Sequence, residues 1–241
     1  MSKNMNTRAV IWDYDGTLVD TRQKNLNVTK KIIEKISGKN SDEFPALQSI
    51  PNYQRANIKS ANWRELYRNE FLLNDSQIDE AGKLWTEFQL ADHTDVPFFP
   101  GIEKVIRHPG IKTQAIVSQN SKSNIVTKLK ENNLLSFFNL IIGYEEVDIR
   151  EQKPNPRGLL LCIDKLRISN PCTIFYVGDH ETDVQCVINT KMHLEQQKSG
   201  WNILSIGALY GAENNADSWQ AKPDYKAQNA ADILQIIADH Q

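Results

Sequence analysis

Two aspartates one residue apart follow a short apolar run near the start of the chain. Residues 9–17 read Ala-Val-Ile-Trp-Asp-Tyr-Asp-Gly-Thr, with carboxylates at Asp13 and Asp15. On extended backbone, side chains two residues apart point the same way, so both carboxylates face one side of the strand tip. Gly16 then allows the chain to turn sharply. Paired carboxylates repel each other, so a fold retains them where a cation offsets the charge or where chemistry uses it.

A second acidic pair follows another apolar run, in the segment Gly-Asp-His-Glu-Thr-Asp at 178–183. Asp179 and Asp183 are four residues apart, so they lie on one side of a helix that opens there. Together with Asp13 they would supply the oxygen ligands that Mg²⁺ prefers. Glu181 is an alternative to either aspartate in this set. A purely structural interpretation is an N-cap aspartate followed by an aspartate in the first helical turn.

Two polar segments complete the candidate site. The first is Ser118-Gln119-Asn120, which precedes a predicted helix, where free backbone N–H groups favour anions. The same residue types are also common helix caps. The second is a Lys-Pro-Asn-Pro segment that begins at Lys153. Its prolines restrict the backbone and would hold the lysine in place, although a lone lysine is usually a solvated surface charge.

The elements that would position these residues alternate along the chain. Short apolar runs predict strands, and the segments between them carry apolar residues at helical spacing. The predicted strands are 9–12, 113–117, 140–142, 173–177 and 203–206, and the predicted crossover helices are 122–132, 156–166 and 230–238. This pattern predicts an α/β fold with a doubly wound, mostly parallel sheet. Ligands bind beyond the carboxyl ends of such strands, so Asp13, Ser118 and Asp179 should meet in one crevice.

Residues 21–96 interrupt this alternation with one helical pattern after another. Their apolar residues recur near 3.6-residue spacing, and β-like alternation is absent. The block begins just after the Asp-Tyr-Asp turn and ends at the proline-rich segment 96–101, which is typical of a hinge. We therefore expect two domains: a core formed by residues 1–20 and 97–241, and a helical domain formed by residues 21–96.

Composition and charge narrow the function classes. The chain has 241 residues, a formal net charge of -2 and 40% hydrophobic residues, which is typical of a globular protein with a sizeable core. The small net charge predicts neither a nucleic-acid partner nor a membrane surface, and no apolar stretch approaches the roughly 18 residues of a membrane span. Three scattered cysteines without a CxxC pattern indicate reduced thiols and a cytoplasmic location. Nothing in the sequence specifies an oligomeric state.

The motifs Asp-X-Asp-Gly-Thr, Ser, Lys-Pro and Gly-Asp-X-X-X-Asp occur in this order, each after a predicted strand. In this respect the chain resembles the haloacid dehalogenase-like hydrolase superfamily, and the resemblance covers nearly the whole chain. The position of the insertion resembles the helical-cap subclass, which includes phosphoglycolate phosphatase-like enzymes and β-phosphoglucomutase. The resemblance implies a Rossmann-like core with an inserted all-helical cap domain.

The same resemblance implies a role for each acidic residue and for the lysine. Asp13 would attack phosphorus and form an aspartyl-phosphate intermediate. Asp15 would protonate the leaving alkoxide and later deprotonate the attacking water. Mg²⁺ would be held by Asp13, the backbone carbonyl of Asp15 and Asp179, with Asp183 in the inner or outer shell. Lys153 would add a second positive charge beside the nucleophile.

The remaining predicted site residues would bind the substrate. Ser118 would hydrogen-bond a phosphoryl oxygen with Thr17 close by, and Gln119 and Asn120 would extend this anion site. Specificity in the superfamily comes from the cap, and among its cations Arg55 is our choice for binding a second anionic group. An ordinary solvated helix charge is the alternative for Arg55.

These assignments predict a Mg²⁺-dependent phosphatase that hydrolyses a small phosphomonoester. Asp15 favours ester cleavage within the superfamily, because dehalogenases expel halide and do not need this acid. The runner-up is a phosphohexomutase, which shares every core residue. Mutase-like members usually place a gating histidine near the start of the cap, where this chain has Thr-Arg-Gln-Lys-Asn at 21–25. A third hypothesis is a non-catalytic binding or regulatory protein, although no nucleophile or metal ligand is missing from the motifs.

Overall fold

The computed structural model describes residues 7–60, 62–168, 172–197, 200–211 and 216–240. Contacts divide the chain into two compact units, Met1–Asp20 with Phe98–Gln241, and Thr21–Pro97. In the described residues, the first unit contains all the strands, and the regular elements of the second unit are helical.

A parallel sheet of six strands organises the first unit, in the order β3-β2-β1-β4-β5-β6. The strands are β1 Thr7–Trp12, β2 Thr113–Val117, β3 Leu140–Ile142, β4 Cys172–Gly178, β5 Trp201–Ala208 and β6 Tyr225–Ala227. Each neighbouring pair is parallel. The predicted α/β fold with a doubly wound sheet is confirmed. The chain order reverses between β1 and β4, and this switch point is where ligands bind in such sheets.

The register of the central strands brings the predicted site residues to one edge of the sheet. Trp12, at the end of β1, pairs with Ile116 of β2 and with Val177 of β4. The backbone N–H of Asp13 donates to the carbonyl of Val177 at 2.8 Å, which extends the ladder by one residue. Ser118 is bonded in the same way to the end of β3, at 3.0 Å. These residues therefore leave the sheet at the same level.

Helices connect the strands and form the second unit. In chain order they are α1 Arg22–Ser37, α2 Ile50–Lys59, α3 Trp63–Phe71 and α4 Asp75–Ala91 in the second unit, then α5 Ile102–Ile106, α6 Lys122–Glu131, α7 Arg157–Leu166, α8 Glu181–Gln196 and α9 Ala230–Asp239 in the first. None of the helices in the described ranges has the length and apolar character needed to cross a bilayer.

Each unit has its own buried apolar core, because each set of elements is apolar on one face. In the first unit, strand residues pack against α7 and α8, as shown by the buried side chains of Ile11, Ile174, Leu159 and Val187. In the second unit the core is formed by residues of α1, α3 and α4 and the segments between them, including Leu26, Ile32, Leu66, Phe71 and Ile78. Full burial of one such side chain stabilises a fold by about 1.5–3 kcal/mol.

A buried amide connects β2 to β1 and to α5. The side chain of Gln114 is 1% exposed. Its oxygen accepts from the indole N–H of Trp12 at 3.0 Å, and its nitrogen donates to the carbonyl of Ile106 at 2.7 Å. Since both partners are buried, the amide satisfies groups that would otherwise lose their hydrogen bonds to water. It also fixes the residue that precedes Asp13.

We predict that Gln114→Leu lowers the free energy of unfolding by about 1–3 kcal/mol, because it leaves the Trp12 indole and the Ile106 carbonyl without a partner. Urea denaturation followed by tryptophan fluorescence measures the change. The matched control is Gln235→Leu on α9, where the exposed amide donates to the side chain of Asp239. The free energy of unfolding of this control should stay within about 0.5 kcal/mol of the wild-type value. Equal effects of the two variants would contradict the prediction.

Candidate active site

Three carboxylates converge beyond the carboxyl ends of β1 and β4. Asp13, Asp179 and Asp183 each offer an oxygen that lies within 4.8 Å of the others. Asp13 follows β1 directly, Asp179 follows β4, and Asp183 lies in the first turn of α8. Asp13 is 7% exposed and Asp183 is 4% exposed. A buried group of carboxylate oxygens at this spacing matches the ligand preference of a hard divalent cation.

Lys153 is the buried counter-charge of this group. Its Nζ lies 2.5 Å from Oδ1 of Asp13 and 2.8 Å from Oδ1 of Asp183, and its side chain is 7% exposed. The ammonium also lies 5.4 Å from the centroid of the Tyr176 ring. The alternative of a solvated surface lysine is therefore wrong for Lys153.

The lysine loop is attached to α8. Asn189 donates from its side-chain nitrogen to the carbonyl of Pro154 at 2.9 Å. The thiol of Cys186 donates to the carbonyl of Asn155 at 3.4 Å. The Lys153–Pro154 peptide bond is cis. One helix thus carries Asp183 and also holds the segment that brings Lys153 to it.

Asp183 is held by its own helix and by β4. Its Oδ2 accepts from the backbone N–H of His180 at 3.1 Å, which is the reciprocal half of a capping box at the start of α8. Its Oδ1 lies 3.3 Å from the hydroxyl of Tyr176, within hydrogen-bond distance. The sequence reasoning did not include Tyr176, which lies in an otherwise apolar run. The available signal is that a tyrosine in a buried parallel strand needs a partner for its hydroxyl.

The structure distinguishes between the two acids that the sequence left as alternatives. Glu181 is not in the cluster of Asp13, Asp179 and Asp183. Its Oε1 accepts instead from the backbone N–H groups of Gln220 and Ala221, at 2.6 and 2.8 Å. Glu181 therefore anchors the segment before β6, and Asp183 is the acid that faces the candidate metal site.

Burial and mutual repulsion shift the pKa values of the acids. The pKa of Asp13 is raised to about 7: burial is the main cause, the charge of Lys153 opposes it, and the charges of Asp183 and Asp15 add to it. Burial, with the charges of Asp13 and Asp183, raises the pKa of Asp179 well above its usual range. Burial disfavours the charged form of Lys153, but attraction by the two bonded carboxylates raises its pKa well above the usual value. One ammonium therefore does not balance these carboxylates, and this excess of negative charge fits a divalent cation.

Two glycines leave the space that the acids occupy. A Cβ atom at Gly16 would lie 2.2 Å from Oδ2 of Asp179, and the residue has a φ of +77°, which disfavours other residue types. A Cβ atom at Gly178 would lie 2.4 Å from Cγ of Asp183. Gly16 is thus required by an acid of the second motif, and Gly178 by an acid of its own motif.

The predicted hydroxyl residues lie beside the acids. Thr17 is fully buried, and its hydroxyl is 3.5 Å from Oδ1 of Asp179. Ser118 is 6% exposed, and its Oγ accepts from the backbone N–H of Asn120 at 3.1 Å. The side chain of Asn120 turns towards Asp15 and donates to both of its carboxylate oxygens.

Two other predicted residues are exposed. Gln119 donates from its side-chain nitrogen to Oε1 of Gln152, at 3.2 Å, just beside the lysine loop. Arg55 lies on α2 in the helical unit and is bonded to the neutral side chain of Asn52 at 2.5 Å. Two further cations of that unit are instead engaged by carboxylates, in the pairs Arg64–Asp79 and Arg68–Asp75, at 2.6 Å each.

Comparison with known proteins identifies the family. The family model described as haloacid dehalogenase-like hydrolase matches residues 10–194, and this range contains every residue of the acidic site. The chain belongs to this family. The family resemblance seen in the motifs and the expectation of a phosphatase-type hydrolase are confirmed.

Individual members of the haloacid dehalogenase-like family are similar over almost the full length. Pyrophosphatase PpaX from Listeria monocytogenes is 23% identical over 235 residues, which cover 96% of this chain and 97% of that protein. Phosphoglycolate phosphatase from Vibrio vulnificus is 22% identical over 233 residues, with 95% and 96% covered. A crystal structure from Lactobacillus plantarum has a TM-score of 0.75 at 18% identity and covers 96% of this chain and 100% of its own, which shows a shared fold.

We predict that Asp179→Asn removes the stabilisation of this hydrolase by Mg²⁺. A ligand that binds only the folded state raises the melting temperature, so Mg²⁺ should raise that of the wild type by several degrees and leave the variant unchanged. In EDTA, Asp179→Asn should have a higher melting temperature than the wild type. The pKa of Asp179 is higher in the fold than in the unfolded chain, so its ionisation destabilises the folded state as the pH rises from about 4 towards the raised pKa.

Differential scanning fluorimetry with and without Mg²⁺ measures both effects of Asp179→Asn. The matched control is Asp164→Asn, which makes the same charge change at an exposed position on α7. The control should keep the response to Mg²⁺. A response of Asp179→Asn equal to that of the wild type would contradict the assignment of Asp179 as a ligand.

Proposed function

We propose that this protein is a Mg²⁺-dependent phosphatase that hydrolyses a small phosphomonoester through an aspartyl-phosphate on Asp13. The observation that carries the proposal is the pairing of Asp13 with Lys153 inside the buried group of carboxylates formed with Asp179 and Asp183. A carboxylate is a poor nucleophile towards an anionic phosphoryl group unless nearby positive charge reduces the repulsion. The names of the curated relatives, a pyrophosphatase and a phosphoglycolate phosphatase, support the same reaction class.

Asp13, Asp179 and Asp183 would hold the Mg²⁺ together with the backbone carbonyl of Asp15. When bound, the ion supplies positive charge that offsets the carboxylates and the phosphoryl group. Lys153 contributes a second, permanent positive charge, because its pKa is raised well above the usual value. The charge of the lysine therefore does not depend on pH near neutrality.

The side chains of Asp13 and Asp15 divide the covalent and the proton-transfer work. A carboxylate oxygen of Asp13 forms a bond to phosphorus while the bond from phosphorus to the leaving alkoxide breaks, and Asp15 gives its proton to that alkoxide. Ionised Asp15 then takes a proton from water, whose oxygen attacks the phosphorus. The bond between phosphorus and Asp13 breaks, and inorganic phosphate leaves. General acid–base catalysis of this kind contributes about 10²–10⁴-fold.

The oxygens of the phosphoryl group would be bound at the start of α6. Ser118 offers its hydroxyl from the end of β2, beside the turn that leads into α6. Thr17 and Gln119 would also contribute to this phosphoryl-binding site. Such positioning and electrostatic stabilisation account for most of the catalysis of phosphoryl transfer.

The helical unit would act as the cap domain, formed by residues 21–96, and would select the substrate. Arg55 is exposed on α2 and is available for a second anionic group, since its guanidinium is bonded to a neutral amide. The free thiols of Cys162, Cys172 and Cys186 support a reducing, cytoplasmic setting.

We predict that the wild-type protein with Mg²⁺ releases phosphate from at least one small ester and that Asp13→Asn reduces kcat by about 10³-fold or more. The panel contains phosphoglycolate, hexose phosphates, nucleoside monophosphates and pyrophosphate. Acid quenching with a ³²P-labelled substrate would trap the aspartyl-phosphate of the wild type but none in the variant. Asp164→Asn is the matched control and should retain the activity and the labelled intermediate.

The same assays distinguish the alternatives. Conversion of a hexose 1-phosphate into its 6-phosphate without net phosphate release would contradict hydrolysis and favour a phosphohexomutase. Absence of turnover over the whole panel with Mg²⁺ bound would contradict the phosphatase. A protein partner that then binds wild type and Asp13→Asn equally would favour a non-catalytic binding protein.

We predict that Arg55→Ala raises the KM for a doubly anionic substrate by about 10-fold or more, with kcat within about 2-fold, because a charge-assisted hydrogen bond contributes about 1.5–3 kcal/mol. Steady-state kinetics with the preferred substrate of the panel measures both constants. Lys83→Ala is the control, since it removes an exposed cation of α4. Equal KM values for the wild type and Arg55→Ala would contradict a substrate-binding role.

A further inference from the structure

The amide group of Asn120 forms a two-point contact with Asp15. Its Nδ2 lies 3.0 Å from Oδ1 and 3.0 Å from Oδ2 of Asp15, although the two residues are 105 positions apart in the chain. We propose that Asn120 is a positioning residue that holds the carboxylate of Asp15 in the orientation needed for proton transfer, and that it does not bind the substrate with its side chain. This inference rests on the proposed function, in which Asp15 is the general acid and base.

The surroundings of Asn120 determine which end of its amide faces Asp15. The side-chain oxygen accepts from the backbone N–H of Ser121 at 2.7 Å, and only the oxygen end of an amide can accept a hydrogen bond. The nitrogen end, with its two N–H groups, is therefore the end that faces Asp15. The backbone N–H of Asn120 is also engaged, by Oγ of Ser118. The residue is 7% exposed, so its side chain is largely removed from solvent.

Asp15 needs such a partner because of its place in the chain. It lies beyond the end of β1, between Asp13 and the turn at Gly16, where its backbone forms an isolated bridge with Val19 outside the regular strand. Rotation about its side-chain bonds would move the carboxylate away from the leaving group. A misplacement of about 1 Å can reduce a rate by about 10²-fold, so an amide that binds both oxygens has a direct kinetic consequence.

Asn120, just before α6, both accepts a hydrogen bond from Ser121 and donates to Asp15. A serine or aspartate at position 120 would accept from the N–H of Ser121 equally well, as helix caps do. Neither would present two N–H donors to Asp15. The requirement for both an acceptor and a donor end explains an asparagine at this position, whereas capping alone does not.

The discriminating variant is Asn120→Asp. It is nearly isosteric and keeps an oxygen that accepts from Ser121, but it replaces the donor end with an acceptor. We expect kcat/KM for alkyl phosphates to fall by about 10- to 100-fold, because the poor leaving group needs the acid. For p-nitrophenyl phosphate, whose leaving group is stable as an anion, kcat/KM should fall by less than about 3-fold. A residue that binds the phosphoryl group would lower both series equally.

A double-mutant cycle with Asp15 tests the same proposal through coupling. If Asn120 acts through Asp15, then adding Asn120→Asp to Asp15→Asn should change kcat/KM for phenyl phosphate by less than about 3-fold. The pair of changes also exchanges the donor and acceptor, so the double variant keeps a hydrogen bond between the two side chains. An additional loss as large as that of Asn120→Asp in the wild-type background would overturn the proposal.

Controls separate this inference from folding defects and from the proposed function. Asn202→Asp makes the same change at an exposed position of β5 and should leave both substrate series unchanged. Because the new carboxylate of Asn120→Asp would face Asp15, its melting temperature should fall, and circular dichroism in Mg²⁺ should show that the variant is folded at the assay temperature. If the wild type shows phosphatase activity that depends on Asp13 but the loss in Asn120→Asp is the same for every leaving group, the positioning role is wrong and the phosphatase stands. If the wild type has no such activity, the phosphatase function and the positioning role of Asn120 are both contradicted.

Discussion

The excess of buried negative charge at the carboxyl ends of β1 and β4 is the constraint on which the rest of the structure depends. Asp13, Asp179 and Asp183 approach one another within 4.8 Å, and Lys153 is bonded to two of them. Bringing such groups together opposes folding, because burial removes their hydration and like charges repel. Burial of apolar side chains in both units offsets this effect elsewhere in the chain. The resulting excess of negative charge favours the binding of a divalent cation, as a phosphoryl-transfer site requires.

The residues that surround this charge serve the fold and the site together. Asp183 caps α8 and also binds Lys153, so the start of the helix cannot move without moving the acidic site. The same helix holds the carbonyls that follow Lys153. Gly16 and Gly178 are small because the side chains of Asp179 and Asp183, respectively, occupy the adjacent space. Asn120 joins the end of β2 to the end of β1 through Asp15. The site is therefore a closed set of contacts between segments far apart in sequence.

Much of this could be predicted, for reasons that differ between elements. The apolar runs of β1, β2 and β3 predict buried strands because parallel strands covered on both faces exclude polar side chains. The acids could be named because they directly follow apolar runs, and Lys153 could be named because its Lys-Pro segment is one of the motifs that resemble the family. The roles of Tyr176 and Gln114 could not be predicted, because the role of a polar atom inside an apolar run depends on its partner in the folded structure. Glu181 and Asp183 also look alike in sequence, and the nearby backbone N–H groups distinguish them.

The sequence by itself determined the alternation of strands and helices, the helical block and the types of chemical group available at each strand end. These properties depend on local spacing and on residue chemistry, which can be read along the chain. The tertiary structure alone decided the order β3-β2-β1-β4-β5-β6, the burial of Lys153 between two acids and the contact of Asn120 with Asp15. The contacts of Lys153 with Asp13 and of Asn120 with Asp15 join positions more than 100 residues apart. Their geometry is set by packing and register across the sheet, which no local pattern encodes.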